Sequence, residues 1–159
     1  MRAEYIRAKA AQLIAETACR DPFEAACLTG AQVAFKDLGS LKGAYFPAFK
    51  TPVIAVNQSL DDNTKKIVCA HELGHHILHS RTAQSCRELR FDSKAGILER
   101  EANIFAAAFL IDYDKALSLL KDGYTVDQTA AILETSTQLL EFLLSLGGIV
   151  QAPCGSFLK

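Results

Sequence analysis

Ile67-Val-Cys-Ala-His71-Glu72-Leu73-Gly74-His75-His76-Ile77-Leu78-His79 is the run on which the reading of this chain turns. It holds all four histidines of the 159 residues within nine consecutive positions. Asp61-Asp62 ahead of it supplies a cap and first-turn acids, and Ile67, Val68, Leu73, Ile77 and Leu78 flank the histidines with apolar side chains, so a helix is predicted from Asp62 to about His79. On a helix, positions i and i+4 lie ~6 Å apart along the axis and about 40° apart around it. His71 and His75 can therefore converge on one metal ion. Glu72, turned about 100° from His71, reaches past the ion to water. That is the arrangement of a zinc site with a carboxylate general base.

A catalytic zinc takes a third protein ligand. His79 is eight residues from His71, roughly 12 Å along a continuous helix and too far for the same ion. His76 points about 100° away from His75 and reads as a surface or supporting group. The next helix, expected from about Ala95 to Leu110, carries an apolar stripe of Leu98, Ala102, Phe105, Ala106 and Phe109. Glu99 and Asn103 stand one turn apart beside that stripe. Glu99 is expected as the third ligand, with Asn103 orienting a ligand by hydrogen bonding. Glu101, about 160° round the helix from Glu99, is the fallback ligand and otherwise a solvated charge.

Upstream, residues 4–19 have helical spacing, and Asp21-Pro22 reads as an N-cap with Pro at the first position of a short helix toward Leu28. Val33–Leu38, Lys42–Phe46 and Pro52–Asn57 are short, β-branched or aromatic, and bounded by Gly and Pro, so three strands are expected, with a hairpin at Gly39-Ser40. Residues 80–95 are polar and irregular. Downstream, Asp114 is expected to cap a helix from Lys115 to Leu120 that Gly123 stops, followed by helices at about 126–133 and 136–146. The sum is a single α+β domain over 1–159, mainly helical, with a small three-stranded sheet. Residues 1–30 form N-terminal helices, 31–111 the sheet and metal-binding helices, and 112–159 a cap of short C-terminal helices.

Composition narrows the function classes. Half the residues are apolar, 22% are charged and the net charge is −1, the balance of a soluble globular protein without a basic field for nucleic acid or membrane. The five cysteines (Cys19, Cys27, Cys69, Cys86, Cys154) form no C-x-x-C pair and read as reduced thiols of a cytoplasmic protein. The charged N-terminus lacks the apolar core of a signal peptide, and Leu139 to Val150 falls well short of the ~20 residues that cross a bilayer.

Pro52-Val-Ile-Ala-Val-Asn57, the H-E-L-G-H-x-x-L-H run at 71–79 and Glu99-Arg-Glu-Ala-Asn103-Ile-Phe-Ala106 together resemble the ImmA/IrrE family of metallopeptidases. The resemblance covers residues 38–111. The Glu99–Ala106 segment is also similar to the third-ligand helix of thermolysin-like gluzincins, with Glu99 followed four residues later by Asn103. The resemblance implies a minimal gluzincin core, one catalytic Zn2+ on His71, His75 and Glu99, Glu72 as base, and a cytoplasmic role in regulatory proteolysis. It also implies the partner: a helix-turn-helix repressor, cleaved to derepress a mobile element, phage or stress locus. The family often ends its second helix in a Leu-Leu-Met-Pro-like run, where this chain has Phe109-Leu-Ile-Asp-Tyr113 and no Pro.

Peptide hydrolysis also needs an oxyanion donor. Tyr45, His76, His79, Tyr113 and Tyr124 have the chemistry, and the sequence does not choose among them. Val53, Ile54, Ala55 and Val56 form either an edge strand for an extended substrate or a buried strand. Two rival readings stand beside the peptidase. A zinc-containing module that binds a repressor without cutting it would share every ligand but has no need of Glu72. A DNA-binding regulator is suggested by the helix-turn-helix rhythm of residues 124–146, but from Tyr124 to Leu158 there is no Lys or Arg to contact phosphate. Direct nucleic-acid binding is therefore not expected.

Overall fold

The computed structural model describes residues 2–47, 50–80 and 96–146. Helices α1 (Arg2–Thr17) and α2 (Pro22–Leu28) precede strands β1 (Gln32–Lys36), β2 (Gly43–Phe46) and β3 (Val53–Asn57). Helices α3 (Asp62–His79), α4 (Ile97–Leu110), α5 (Tyr113–Lys121), α6 (Val126–Ile132) and α7 (Thr137–Ser145) follow. The class is α+β, mainly helical, with one small mixed sheet. Among the described residues no helix is long and apolar enough to cross a membrane.

Local chemistry places the helix starts. Asp21 accepts from the Phe23 and Glu24 amides with Pro22 at the first helical position, and Asp61 accepts from the Thr64 amide at the head of α3. The α5 cap is Asp112, whose side chain accepts from Lys115 N, so the helix begins two residues before the Asp114 start expected from sequence. Either aspartate has the chemistry; the extended backbone that a cap needs falls at 112.

The sheet corrects the expected hairpin. Its order is β1-β3-β2, with β1 parallel and β2 antiparallel to β3. β3 takes the centre because it is the most apolar of the three: Ile54, Ala55 and Val56 are buried, whereas β1 is largely exposed. Both edges of β3 are occupied, so Val53–Val56 cannot pair with a substrate as an edge strand; the buried-strand alternative describes them. Gly39 still turns the chain, at φ 60°.

One apolar cluster joins α1, α2, the sheet, α3 and α4 through Ile6, Leu13, Ile54, Leu73, Phe105 and Phe109. A second, with Ile67, Ala107, Ile111, Leu139, Leu140 and Leu143, seats α5–α7 on the other side of α3 and α4. Helix α4 is thus covered on most sides. Leu98, expected in its buried stripe, lies in its exposed first turn. The expectations for 81–95 and for the tail after Leu146, including Cys86 and Cys154, lie outside the described residues. Cys19, Cys27 and Cys69 are free thiols, and burial pushes the Cys69 thiol far up.

Candidate metal centre

Helix α3 carries His71, Glu72 and His75, and α4 carries Glu99. His71 Nε2 and His75 Nε2 are 3.2 Å apart. Glu99 Oε2 stands 3.3 Å from His71 Nε2, and Oε1 stands 3.5 Å from His75 Nε2. Ligand atoms around a four-coordinate ion with ~2.0–2.1 Å bonds stand about 3.3 Å apart, so these separations match one face of a tetrahedron. Glu99 Oε2 is buried with no hydrogen-bond donor. Among the described residues His71, His75 and Glu99 form the one group whose donors can hold a metal ion.

The imidazole of His71 is oriented from behind. Its Nδ1 lies 2.8 Å from Asn103 Oδ1, one turn beyond Glu99 on α4. An amide oxygen only accepts, so Nδ1 carries the proton and Nε2 turns its lone pair toward His75 and Glu99. Burial acts to raise the Glu99 carboxyl, and the two imidazoles beside it act to lower it, with the net shift downward. Burial also raises the Glu72 carboxyl, opposed by His71 and His75 and by the backbone N–H of Tyr45. The result is a carboxyl beside the cluster that exchanges a proton more readily than an exposed glutamate.

Strand β2 flanks Glu72 at close range because residue 43 is glycine. A Cβ there would collide with Val68 Cγ1 and come within 3.2 Å of Glu72 Oε1. The Asn57 amide donates to Lys42 O, and register pairs Gly43 with Val56. Antiparallel pairs alternate between bonded and non-bonded, so Ala44 and Phe46 spend their backbone groups on β3 while Gly43 and Tyr45 direct theirs to the free edge. Among the described residues, the unpaired strand edge beside Glu72 thus belongs to β2. A glycine inside a strand is the sequence signal for such a close approach.

The remaining candidates separate. Tyr45 Oη is 3.0 Å from His76 Nδ1, and His76 Nε2 is 3.2 Å from the Thr29 carbonyl, so neither side chain is available as an oxyanion donor in this arrangement. Tyr113 packs against the second apolar cluster, and Tyr124 is exposed. His79 lies apart from the three-ligand group, with its ring 5.8 Å from that of His75 and its Nε2 3.3 Å from Glu101 Oε2. Glu101 is the clear miss. Expected in solvent, it is buried at 5% exposure and paired with both Arg2 and His79. It stands away from the metal cluster, but α1 and the end of α3 pack over it, and nothing in the spacing of α4 announces α1.

Two histidines and a glutamate holding a metal-sized gap, with a buried carboxylate alongside, define a metallopeptidase-like domain. Comparison with known proteins agrees: the chain belongs to the peptidase M78 family, whose IrrE N-terminal-like domain matches residues 28–145. It is also 30% identical over 129 residues to "Uncharacterized immunity region protein 2" of Bacillus phage phi105, an alignment covering 80% of this chain and 81% of that protein.

Proposed function

We propose that the chain is a zinc-dependent endopeptidase that cleaves a cytoplasmic helix-turn-helix repressor. The observation that carries this reading is the buried Glu72 carboxylate beside the His71–His75–Glu99 cluster, next to the edge of β2 that no described strand pairs. Bound zinc would supply Lewis acidity, polarising a peptide carbonyl and making water easier to deprotonate. Glu72 takes the proton from the attacking water and delivers it to the leaving amine. The outward-directed N–H and C=O of Gly43 and the C=O of Tyr45 receive an extended substrate segment by strand addition. Asn103 keeps the His71 lone pair aimed at the ion, and Glu99 contributes a negative charge that favours binding of a dication.

The repressor as substrate, and regulation of a mobile element, phage or stress locus as the outcome, rest on the family and on a relative named for a phage immunity region. Purified zinc-loaded protein is incubated with the repressor encoded beside it, with Glu72→Gln as control. Cleavage by wild type alone supports the reading. Repressor bound but left intact by wild type points instead to a non-cleaving zinc module. Full cleavage by Glu72→Gln would sink the mechanism.

A further inference from the structure

Glu72 and His76 lie one turn apart on α3, on the face turned toward β2 rather than toward α4. They engage the two ends of one residue. The Tyr45 backbone N–H faces the Glu72 carboxylate closely enough to favour its ionised form, and the Tyr45 hydroxyl meets His76 Nδ1 at 3.0 Å. His76 Nε2 faces the Thr29 carbonyl, an acceptor, at 3.2 Å, so Nε2 carries the proton and Nδ1 accepts from the tyrosine. Thr29 is the C-cap of α2, itself held by Oγ1 bonds to the Ala25 and Ala26 carbonyls. Three elements therefore meet on one imidazole. Tyr45 is 3% exposed, so its hydroxyl is locked in the interior, and its backbone N–H, directed away from β3, lies at the edge of β2 that no described strand pairs.

We propose that His76 is a positioning residue for the reaction: by clamping Tyr45 to Thr29 it sets the gap between the unpaired edge of β2 and the Glu72 carboxylate, and so the slot in which the scissile peptide lies. Resting on the peptidase reading, this assigns to the histidine that makes no ligand the task of fixing the substrate strand. Interior stitching alone would need the two hydrogen bonds but not the shared residue. Tyr45 carries the clamp at the end of its side chain and meets the base through its own backbone N–H, so loosening the clamp moves the substrate edge against the base. A misplacement of about 1 Å in a reacting geometry can cost on the order of 100-fold in rate.

The test uses zinc-loaded full-length protein with Tyr45→Phe, His76→Leu, the double variant and His76→Gln. Bound zinc should stay at wild-type stoichiometry. Hydrogen exchange of the Ala44 and Phe46 amides, which bond to β3, should rise about 10-fold in each single variant while α4 amides are unmoved. On a repressor that wild type cleaves, kcat should fall on the order of 10–100-fold, more than KM rises. The double variant should be no worse than either single one. His76→Gln, which keeps an acceptor and a donor, should recover part of the loss. Additive effects, unchanged exchange in Tyr45→Phe, or raised exchange with unchanged kcat would each overturn the proposal. If His76→Leu does not fold, Tyr45→Phe, which loses one hydroxyl, carries the same comparison. A wild type that cleaves nothing defeats the peptidase reading, and the exchange data then decide the clamp alone.

Discussion

Gly74 of α3 sits directly against Ala102 of α4: a Cβ at position 74 would lie 3.1 Å from both the Ala102 Cα and its carbonyl oxygen. The two helices cross at backbone contact there, one residue before His75 and three after Glu99. That close crossing brings Glu99 within reach of two imidazoles on another helix. Gly74→Ala gains about 1 kcal/mol of helix propensity but must push α4 aside. Denaturation should show little net change, whereas zinc affinity, read by chelator competition, should fall about 10-fold or more. Gly74→Val should weaken it further; wild-type affinity in Gly74→Val would show that the crossing does not set the site.

Asn103 holds the His71 imidazole through its Nδ1, on the ring side away from Glu99. Asn103→Leu should lower zinc affinity about 10–100-fold. Asn103→Asp, which keeps the acceptor, should bind close to wild type. Equal losses in both variants would mean that packing, not the hydrogen bond to Nδ1, is what matters.

His79 makes the metal-free protein sensitive to acid. Burial lowers its pKa below the ordinary histidine value, outweighing the nearby Glu101, with Arg2 and His75 also opposing the charge. The unfolded chain therefore binds the proton more readily than the folded one. This contribution to stability is full above the unfolded value near ~6.5 and shrinks as pH falls from there toward the lowered folded value. In urea titrations of zinc-free protein, wild type should lose stability between pH 7 and 5 more steeply than His79→Gln. Parallel pH profiles would refute this.

Arg20 closes the far end of α4. One guanidinium nitrogen donates to the carbonyls of Phe109 at 2.9 Å and of Ala108 and Ile111 at 3.3 Å. These are C-terminal carbonyls with no helical partner, where a cation also meets the negative end of the dipole. Arg20→Ala should cost about 1–2 kcal/mol of unfolding free energy, with zinc affinity unchanged. A change below about 0.5 kcal/mol would mean that water replaces the guanidinium at no loss.

What the chain determined locally was legible from it. Helical phase put His71 and His75 on one side of α3 with Glu72 beside them, and the caps at Asp21 and Asp61 marked where helices begin, because each depends on residues within a turn or two. Glu99 could be preferred to Glu101 from its place beside the apolar stripe, and it is the one that stands with the histidines. Tertiary structure alone decided the rest. Strand order put β3 in the centre and left the free edge beside Glu72 to β2, since a strand's partners depend on which apolar faces must be covered. Glu101 is buried because α1 and the C-terminal end of α3 both meet α4 there, bringing Arg2 and His79 to it. His76, unassigned by its position in the helix, is defined by Tyr45 and Thr29, 31 and 47 residues away in sequence. Periodicity reports the direction in which a side chain points; what waits there is set by packing between elements distant along the chain.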